Sequence, residues 1–154
     1  MPRLRDRLEP CGLRQERPLT IEISAKVEHS LGSCMAYYDC QHDLIRIAEP
    51  ESFAVLLHED PVYSRLPPTV TFRALLSHEL THALIVQSAG KIEVDILDQE
   101  YIAAAMELEL MEPEWRATYL ESAGFDRPVS DDLIDIWFYA LSPRAFAVNA
   151  WRHF

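Results

Sequence analysis

The chain has few cysteines, few basic residues and no long apolar run. No hydrophobic stretch approaches the roughly 20 residues that a membrane-spanning helix needs. Only 14 Lys and Arg stand against 25 Asp and Glu, which gives a net charge of -11. Such an acidic chain repels phosphate backbones and anionic lipid. We therefore expect neither a nucleic-acid partner nor a membrane.

The three cysteines, Cys11, Cys34 and Cys40, form no Cys-x-x-Cys pair, which argues against a zinc-thiolate or thioredoxin-like site. Cys34 and Cys40 flank a predicted hairpin, so a disulfide between them is one alternative and would indicate an exported protein. Two free thiols in a cytosolic protein are the other alternative. The segment Met1–Arg7 lacks the apolar core of a signal peptide. We expect either a cytoplasmic protein or an exported one whose signal lies outside this sequence.

The overall composition is typical of a single globular domain. Hydrophobic residues make up 49% and charged residues 25% of the 154 positions. A chain of this length can bury one core but has little room for a separate module. We predict a single domain over residues 1–154, and no sequence feature indicates an oligomeric state.

The N-terminal part predicts a short helix and a small sheet. Residues 2–13 have the pattern of a short amphipathic helix, and the alternation in residues 19–23 predicts a strand. Residues 34–38 and 44–47 are β-rich and are separated by a polar, turn-like stretch, so they predict a hairpin. Residues 52–57 fit either a helix or a strand.

The rest of the chain predicts helices. Apolar residues recur at helical spacing from Phe72 to Val86, and Gly90 ends this central helix. A second helical pattern runs from about Leu97 to Met111. Starts of three more short helices are marked by Pro113, Ser130 and Ser142. We predict the α+β class, with a small, mostly antiparallel N-terminal sheet packed on the central helix and a helical C-terminal part.

The central helix carries the pentad His78-Glu79-Leu80-Thr81-His82. Residues four apart on a helix lie about 40° apart around its axis, so His78 and His82 point the same way. Glu79 lies at the edge of that face. Zinc peptidases use this arrangement to bind Zn²⁺ and activate a water molecule. The pentad therefore predicts a zinc site with Glu79 as the general base.

A catalytic zinc needs a third protein ligand and an open position for water. A metzincin has Gly three residues and His six residues after the second His, but Ile85 and Ser88 stand there. Glu100 follows His82 by 18 residues and begins the second helix, so we favour it as the third ligand. The alternative acids in this region are Glu93, Asp95, Asp98 and Glu107.

With a helical His-Glu-x-x-His and a Glu on the next helix, the stretch Thr71 to Leu108 resembles the gluzincin metallopeptidases, the thermolysin-like clan. The resemblance implies a peptide or protein substrate, hydrolysed at a Zn²⁺ ion held by His78, His82 and Glu100. It also implies that the edge strand of a preceding sheet pairs with the substrate peptide. The residues in the matching place, and hence the expected substrate-binding residues, are Leu44, Ile45, Arg46 and Ile47.

The sequence departs from the gluzincin pattern around the ligands. Gln99 stands where many gluzincins have Asn, and Ala104 stands where thermolysin-like proteins have an acid that supports the first His. The groups that orient the imidazoles must therefore differ. A donor for the developing oxyanion must come from later in the chain. The candidates are Tyr139, which we name as the transition-state donor, with Arg144 and His153 as alternatives.

The sequence thus predicts a zinc metallopeptidase, with two alternatives. A zinc-binding domain of the same fold that does not cleave, and instead binds peptides or has a structural role, would share every ligand. It would lack an open cleft or an oxyanion donor. A helical protein without metal would share only the pentad.

Overall fold

Five short strands and seven α-helices make up the part of the chain that this computed structural model describes, residues 4–29 and 32–154. The strands are β1 (Thr20–Ser24), β2 (Val27–His29), β3 (Gly32–Cys34), β4 (Ala36–Asp39) and β5 (Leu44–Ala48). The helices are α1 (Leu4–Leu8), α2 (Phe53–Leu56), α3 (Pro68–Ala89), α4 (Ile96–Glu109), α5 (Pro113–Ala123), α6 (Ile136–Leu141) and α7 (Pro143–His153). The predicted α+β class is confirmed.

Most predicted elements lie within two residues of their expected positions. The N-terminal helix α1 continues as a 3₁₀ turn to Cys11 and stops at Gly12, whose φ of 83° suits a residue without a side chain. Residues 2 and 3 of that predicted helix lie outside the described residues. The segment that fitted either a helix or a strand is helical, as a 3₁₀ turn and α2. Helix α6 and the β2–β3 pair have no counterpart in the sequence predictions.

The main sheet has three strands in the order β1, β5, β4. β4 and β5 pair antiparallel, as the predicted hairpin requires, with Tyr38 opposite Ile45. β1 pairs with β5 in parallel, because the chain passes through the separate antiparallel β2–β3 pair before it returns beside β1. Two of these three strand pairs are antiparallel, and the main sheet itself is mixed.

β5 is the central strand of this sheet, and both of its edges are occupied. Ile45 and Ile47 are fully buried, so the apolar stretch that suggested an edge strand is instead the core of the sheet. The main chain of a central strand is used by its two neighbours and cannot pair with a further peptide. The prediction that Leu44, Ile45, Arg46 and Ile47 form an edge strand that pairs with a substrate peptide is therefore wrong. Among the described strands, β4 has an edge that no other strand pairs with, and it lies beside α3.

Helix α3 is the 22-residue centre of the fold. It begins at Pro68, whose missing N–H costs nothing at a helix start, and it ends at Gly90 with a φ of 63°. Leu80, Ala83 and Leu84 pack with Ile45 of the sheet. The other side of α3 lies against α4, and α7 covers α4 in turn. The pentad is therefore enclosed between the sheet and the helical layer.

The three cysteines are free thiols. Cys34 ends β3 and Cys40 follows β4, so the strand Ala36–Asp39 lies between them. A strand rises about 3.3 Å per residue, whereas a disulfide needs Cα atoms less than about 7 Å apart. The Cys34–Cys40 disulfide considered from the sequence therefore does not form. None of the described helices is both long enough and apolar enough to cross a bilayer.

The buried face of α3 yields a stability prediction. Leu84 is 0% exposed in the layer between α3 and the sheet, whereas Ile92 in the α3–α4 link is 76% exposed. Leu84→Ala removes buried methyl groups and leaves a cavity, so we expect it to lower the free energy of unfolding by about 2–5 kcal/mol. Ile92→Ala should change it by less than about 0.5 kcal/mol. Urea denaturation followed by circular dichroism measures both, and equal effects would contradict the packing.

Candidate metal centre

Three side chains from two helices converge where α3 meets α4. The Nε2 atoms of His78 and His82 are 3.2 Å apart. One carboxylate oxygen of Glu100 lies 3.3 Å from the Nε2 of His78, and the other lies 3.5 Å from the Nε2 of His82. Ligands held about 2.0–2.1 Å from a tetrahedral ion lie about 3.3 Å from one another. The three side chains thus have the spacing of ligands around a single small cation.

The hydrogen bonding of this cluster also fits a cation. Glu100 Oε2 is buried, and the nearby Nε2 of His78, 3.3 Å away, makes no well-directed hydrogen bond to it. Buried polar atoms without partners are rare and call for an explanation, such as an ion. Two ring nitrogens that face each other at 3.2 Å, with this oxygen beside them, would all be satisfied by one divalent cation. Two imidazoles and a carboxylate are also a ligand set of catalytic zinc sites. The residues therefore fit Zn²⁺.

Three of the four acids considered as alternative ligands lie away from the cluster. Glu93, Asp95 and Asp98 are exposed, and Asp95 caps α4 by accepting the N–H of Leu97. Among the described His, Cys, Asp and Glu residues, only His78, His82 and Glu100 form a cluster that could hold an ion. The structure therefore favours the predicted third ligand over its alternatives.

Glu107 approaches His78 from the opposite side of the ring. Its Oε2 lies 3.2 Å from the Nδ1 of His78, so it accepts the proton on that nitrogen and leaves Nε2 free for a metal. The side-chain oxygen of Gln99 lies 3.4 Å from the Nδ1 of His82 in the same way. These two residues orient the imidazoles. The sequence signal for Glu107 was its position seven residues after Glu100, which is two turns along one face of α4.

The two carboxylates change the acidity of His78. Burial lowers the pKa of His78, but the neighbouring carboxylates of Glu100 and Glu107 outweigh burial and raise the pKa to about 10. Burial raises the pKa of each carboxyl group, but the imidazole of His78, and for Glu100 also that of His82, outweighs burial and holds the pKa of both groups below its ordinary value. Without a metal, His78 is therefore protonated near neutral pH. A metal ion must displace that proton.

Glu79 lies beside the cluster and is not one of the three ligands. Its carboxylate accepts the backbone N–H of Tyr38 in β4. Burial raises the pKa of Glu79 above its ordinary value, and the positive charges of His78 and His82 oppose that rise. The general-base candidate is thus held between the metal ligands and the sheet.

A cavity of about 440 Å³ opens beside His78 and Glu79. Part of its wall is the start of β4, at Met35 and Ala36. The carbonyl of Met35 accepts the N–H of Ala48, and main-chain direction alternates along an antiparallel strand. Ala36 therefore turns its own N–H and C=O outward. The remaining wall is formed by Cys34, Leu56, Tyr63, Leu75, Ala104, Glu107, Tyr139, Pro143, Arg144 and Ala147.

Two of the three predicted oxyanion donors reach this cavity. Tyr139, on α6, lies close enough to Glu100 for a hydrogen bond, and burial raises the pKa of its hydroxyl. Arg144 also lines the cavity, 3.1 Å from Asp60. His153 instead contacts Tyr101 and Asp131 at the surface. Tyr139 is brought to the site because Asp135 caps α6, a start signal that the sequence interpretation missed.

Comparison with known proteins gives one family match. A family model described as a family of unknown function (DUF6639) matches residues 2–154. No curated protein and no solved structure matches the chain significantly.

Zinc binding should release protons. Because the pKa of His78 is about 10 without metal, we expect Zn²⁺ at pH 7 to displace about one proton per ion. Calorimetry in buffers of different ionisation enthalpy measures this number. Glu100→Gln should lose most of the zinc affinity, and His153→Ala, outside the cluster, should keep it. Binding without proton release, or wild-type affinity in Glu100→Gln, would contradict the site.

Proposed function

The chain belongs to this family, and we propose that it is a zinc-dependent peptidase of the gluzincin type, with Glu79 as its general base. The observation that carries the proposal is the spacing of 3.2–3.5 Å among the ligand atoms of His78, His82 and Glu100, beside an open cavity. A ligand cluster alone is also compatible with a structural metal. The cavity and the second carboxylate at its wall favour catalysis.

His78, His82 and Glu100 would hold the ion, and three protein ligands leave a fourth position open. When bound, Zn²⁺ supplies two effects, a lowered pKa of a coordinated water and polarisation of the substrate carbonyl. Glu107 and Gln99 keep each imidazole turned with its Nε2 toward the centre. The protein thus fixes the direction from which a substrate carbonyl must approach.

Glu79 takes the proton of the attacking water and returns it to the departing amine. The carboxylate lines the cavity beside His78 and is held by the backbone N–H of Tyr38. A base works best when its pKa lies near the working pH, and the raised pKa of Glu79 moves it in that direction. Its fixed position avoids the cost of ordering the base during the reaction.

Tyr139 would donate a hydrogen bond to the carbonyl oxygen as negative charge develops there. Its hydroxyl is on the cavity wall near both Glu100 and Glu79, so a carbonyl attacked at that point lies within its reach. A neutral hydroxyl is required for donation, and the raised pKa keeps it neutral. Arg144 is already engaged by Asp60, which makes it the weaker candidate.

An extended peptide is the substrate that this cavity suits. The free edge of β4 offers outward main-chain groups at Ala36, and a peptide that pairs with such an edge gains affinity with little dependence on its sequence. The adjoining wall is largely apolar, with Leu75 and Ala147 among its residues. A binding module without activity would need neither a base nor a donor at this wall, so Glu79 and Tyr139 favour the enzyme.

The base yields the first activity prediction. Glu79→Gln keeps the shape of the side chain but cannot accept the proton, so we expect peptide hydrolysis to fall by at least about 10²–10⁴-fold. Zinc content should stay at the wild-type value, because Glu79 is not a ligand. New amino termini in a denatured protein or random peptide library, detected by mass spectrometry, measure the activity.

The matched control is Glu93→Gln, which removes the same charge from an exposed position outside the cavity of the metal site. It should cleave at the wild-type rate. Normal hydrolysis by Glu79→Gln would show that the base is another group. A wild-type protein that binds zinc and cleaves no peptide would favour the binding module.

The oxyanion donor yields a second activity prediction. Tyr139→Phe removes only the hydroxyl, so we expect kcat to fall about 10²-fold with KM little changed, because the hydrogen bond strengthens in the transition state. Tyr101→Phe is the matched control, since the hydroxyl of Tyr101 contacts His153 outside the cavity. Steady-state kinetics on one cleaved peptide separates the two constants. An unchanged kcat in Tyr139→Phe would exclude this role.

A further inference from the structure

A chain of hydrogen bonds runs from His78 away from the metal ligands into the protein. Glu107 contacts the Nδ1 of His78 with Oε2, and the hydroxyl of Tyr63 donates to the other oxygen, Oε1. Tyr63 is 2% exposed and Glu107 is 3% exposed, so water does not compete for these contacts. Tyr63 comes from the loop before α3, far in sequence from Glu107.

The loop that carries Tyr63 is fixed by Asp60 and Arg144. One oxygen of Asp60 accepts the backbone N–H groups of Val62 and Tyr63 at 2.9 Å and 2.7 Å. Its other oxygen contacts Arg144 at 3.1 Å, and the guanidinium of Arg144 lies 3.8 Å from the centre of the Tyr63 ring. The hydroxyl of Tyr63 therefore has little freedom to leave Glu107.

The Tyr63 hydroxyl therefore has a role beyond packing. A buried carboxylate with one unpaired oxygen tends to rotate toward another donor. Rotation of Glu107 would break its contact with the Nδ1 of His78, and the imidazole would lose the orientation that presents Nε2 to the metal. By holding Oε1, Tyr63 holds Oε2 against His78.

We propose that Tyr63 is a positioning residue that sets the zinc affinity of the site through Glu107. The inference rests on the metal-binding part of the proposed function and does not depend on peptide hydrolysis. Tyr63 forms part of the cavity wall, and its hydroxyl is hydrogen-bonded to Glu107 rather than to a metal ligand. Its effect reaches the ion only through the carboxylate of Glu107.

Tyr119 provides a matched control. Its ring packs edge-on against that of Tyr63, with centroids 5.9 Å apart, and it is 0% exposed. Its hydroxyl is buried beside Arg144 and makes no hydrogen bond to Glu107. Tyr119→Phe therefore removes a buried hydroxyl from the same cluster of rings without touching Glu107.

The experiment is a zinc competition titration with a chromophoric chelator on the full chain, as wild type, Tyr63→Phe and Tyr119→Phe. We expect Tyr63→Phe to bind Zn²⁺ about 10–100-fold more weakly, as is typical when a partner that orients a ligand is lost. Tyr119→Phe should bind like the wild type. Wild-type affinity in Tyr63→Phe, or an equal loss in both variants, would overturn the proposal.

Combination with Glu107→Gln separates positioning from a general loss of structure. If Tyr63 acts through Glu107, then Tyr63→Phe should cause no further loss of affinity in a Glu107→Gln background. Additive losses would show that Tyr63 acts by another route and would overturn the proposal. Circular dichroism of each variant without metal confirms that it is folded.

A second measurement covers the case in which Tyr63→Phe does not fold. In the zinc-loaded wild-type protein, NMR should show a Tyr63 hydroxyl proton that is protected from exchange and shifted downfield, and a rapidly exchanging proton would overturn the proposal. Failure of this inference and failure of the proposed function give different experimental results. A wild type that binds zinc but cleaves nothing leaves this test intact, whereas one that binds no zinc overturns the metal site itself.

Discussion

The contact between the carboxylate of Glu100 and the two imidazoles of the pentad is the interaction on which the site depends. It exists only because α4 packs along α3 at the depth of His78 and His82. Burial of a carboxylate is costly unless partners compensate for the lost water. The imidazoles provide that compensation in the metal-free protein, and a divalent cation would provide more. The packing of α4 on α3 and the binding of a metal would therefore stabilise each other.

Helix α3 also fixes Glu79 relative to the sheet. One face is buried against β5 through Leu80 and Leu84, which fixes the helix relative to the sheet. Glu79 then lies beside the free edge of β4 and accepts the N–H of Tyr38. In the proposed mechanism, the packing of α3 on the sheet therefore sets the distance between the base and the main-chain groups that would bind a peptide. A shift of the sheet against α3 would change that distance.

The sequence predicted the candidate metal ligands because their positions follow from the local geometry of two helices. Helical periodicity placed His78 and His82 on one face, and the start of the next helix singled out Glu100. The strand order was beyond such rules, because β5 becomes central only when β1 pairs beside it across a long connection. Tyr63 was equally inaccessible, since its contact with Glu107 joins a loop to a helix 44 residues away. Local patterns predict which face a residue occupies, and tertiary packing decides which neighbour meets it.

Glu100 and Glu107 have the same side chain, but their positions on α4 give them different roles. They lie two turns apart on α4 and approach opposite nitrogens of the same imidazole, Nε2 and Nδ1. With the half-buried Glu79 nearby, three carboxylates surround one site, and a protonated His78 balances part of their charge. A divalent cation that replaces this proton brings the site closer to neutrality by one further charge. The excess negative charge of the carboxylates thus favours a divalent cation over a proton. Because Glu107 contacts Nδ1 of His78, the nitrogen left for that cation is Nε2.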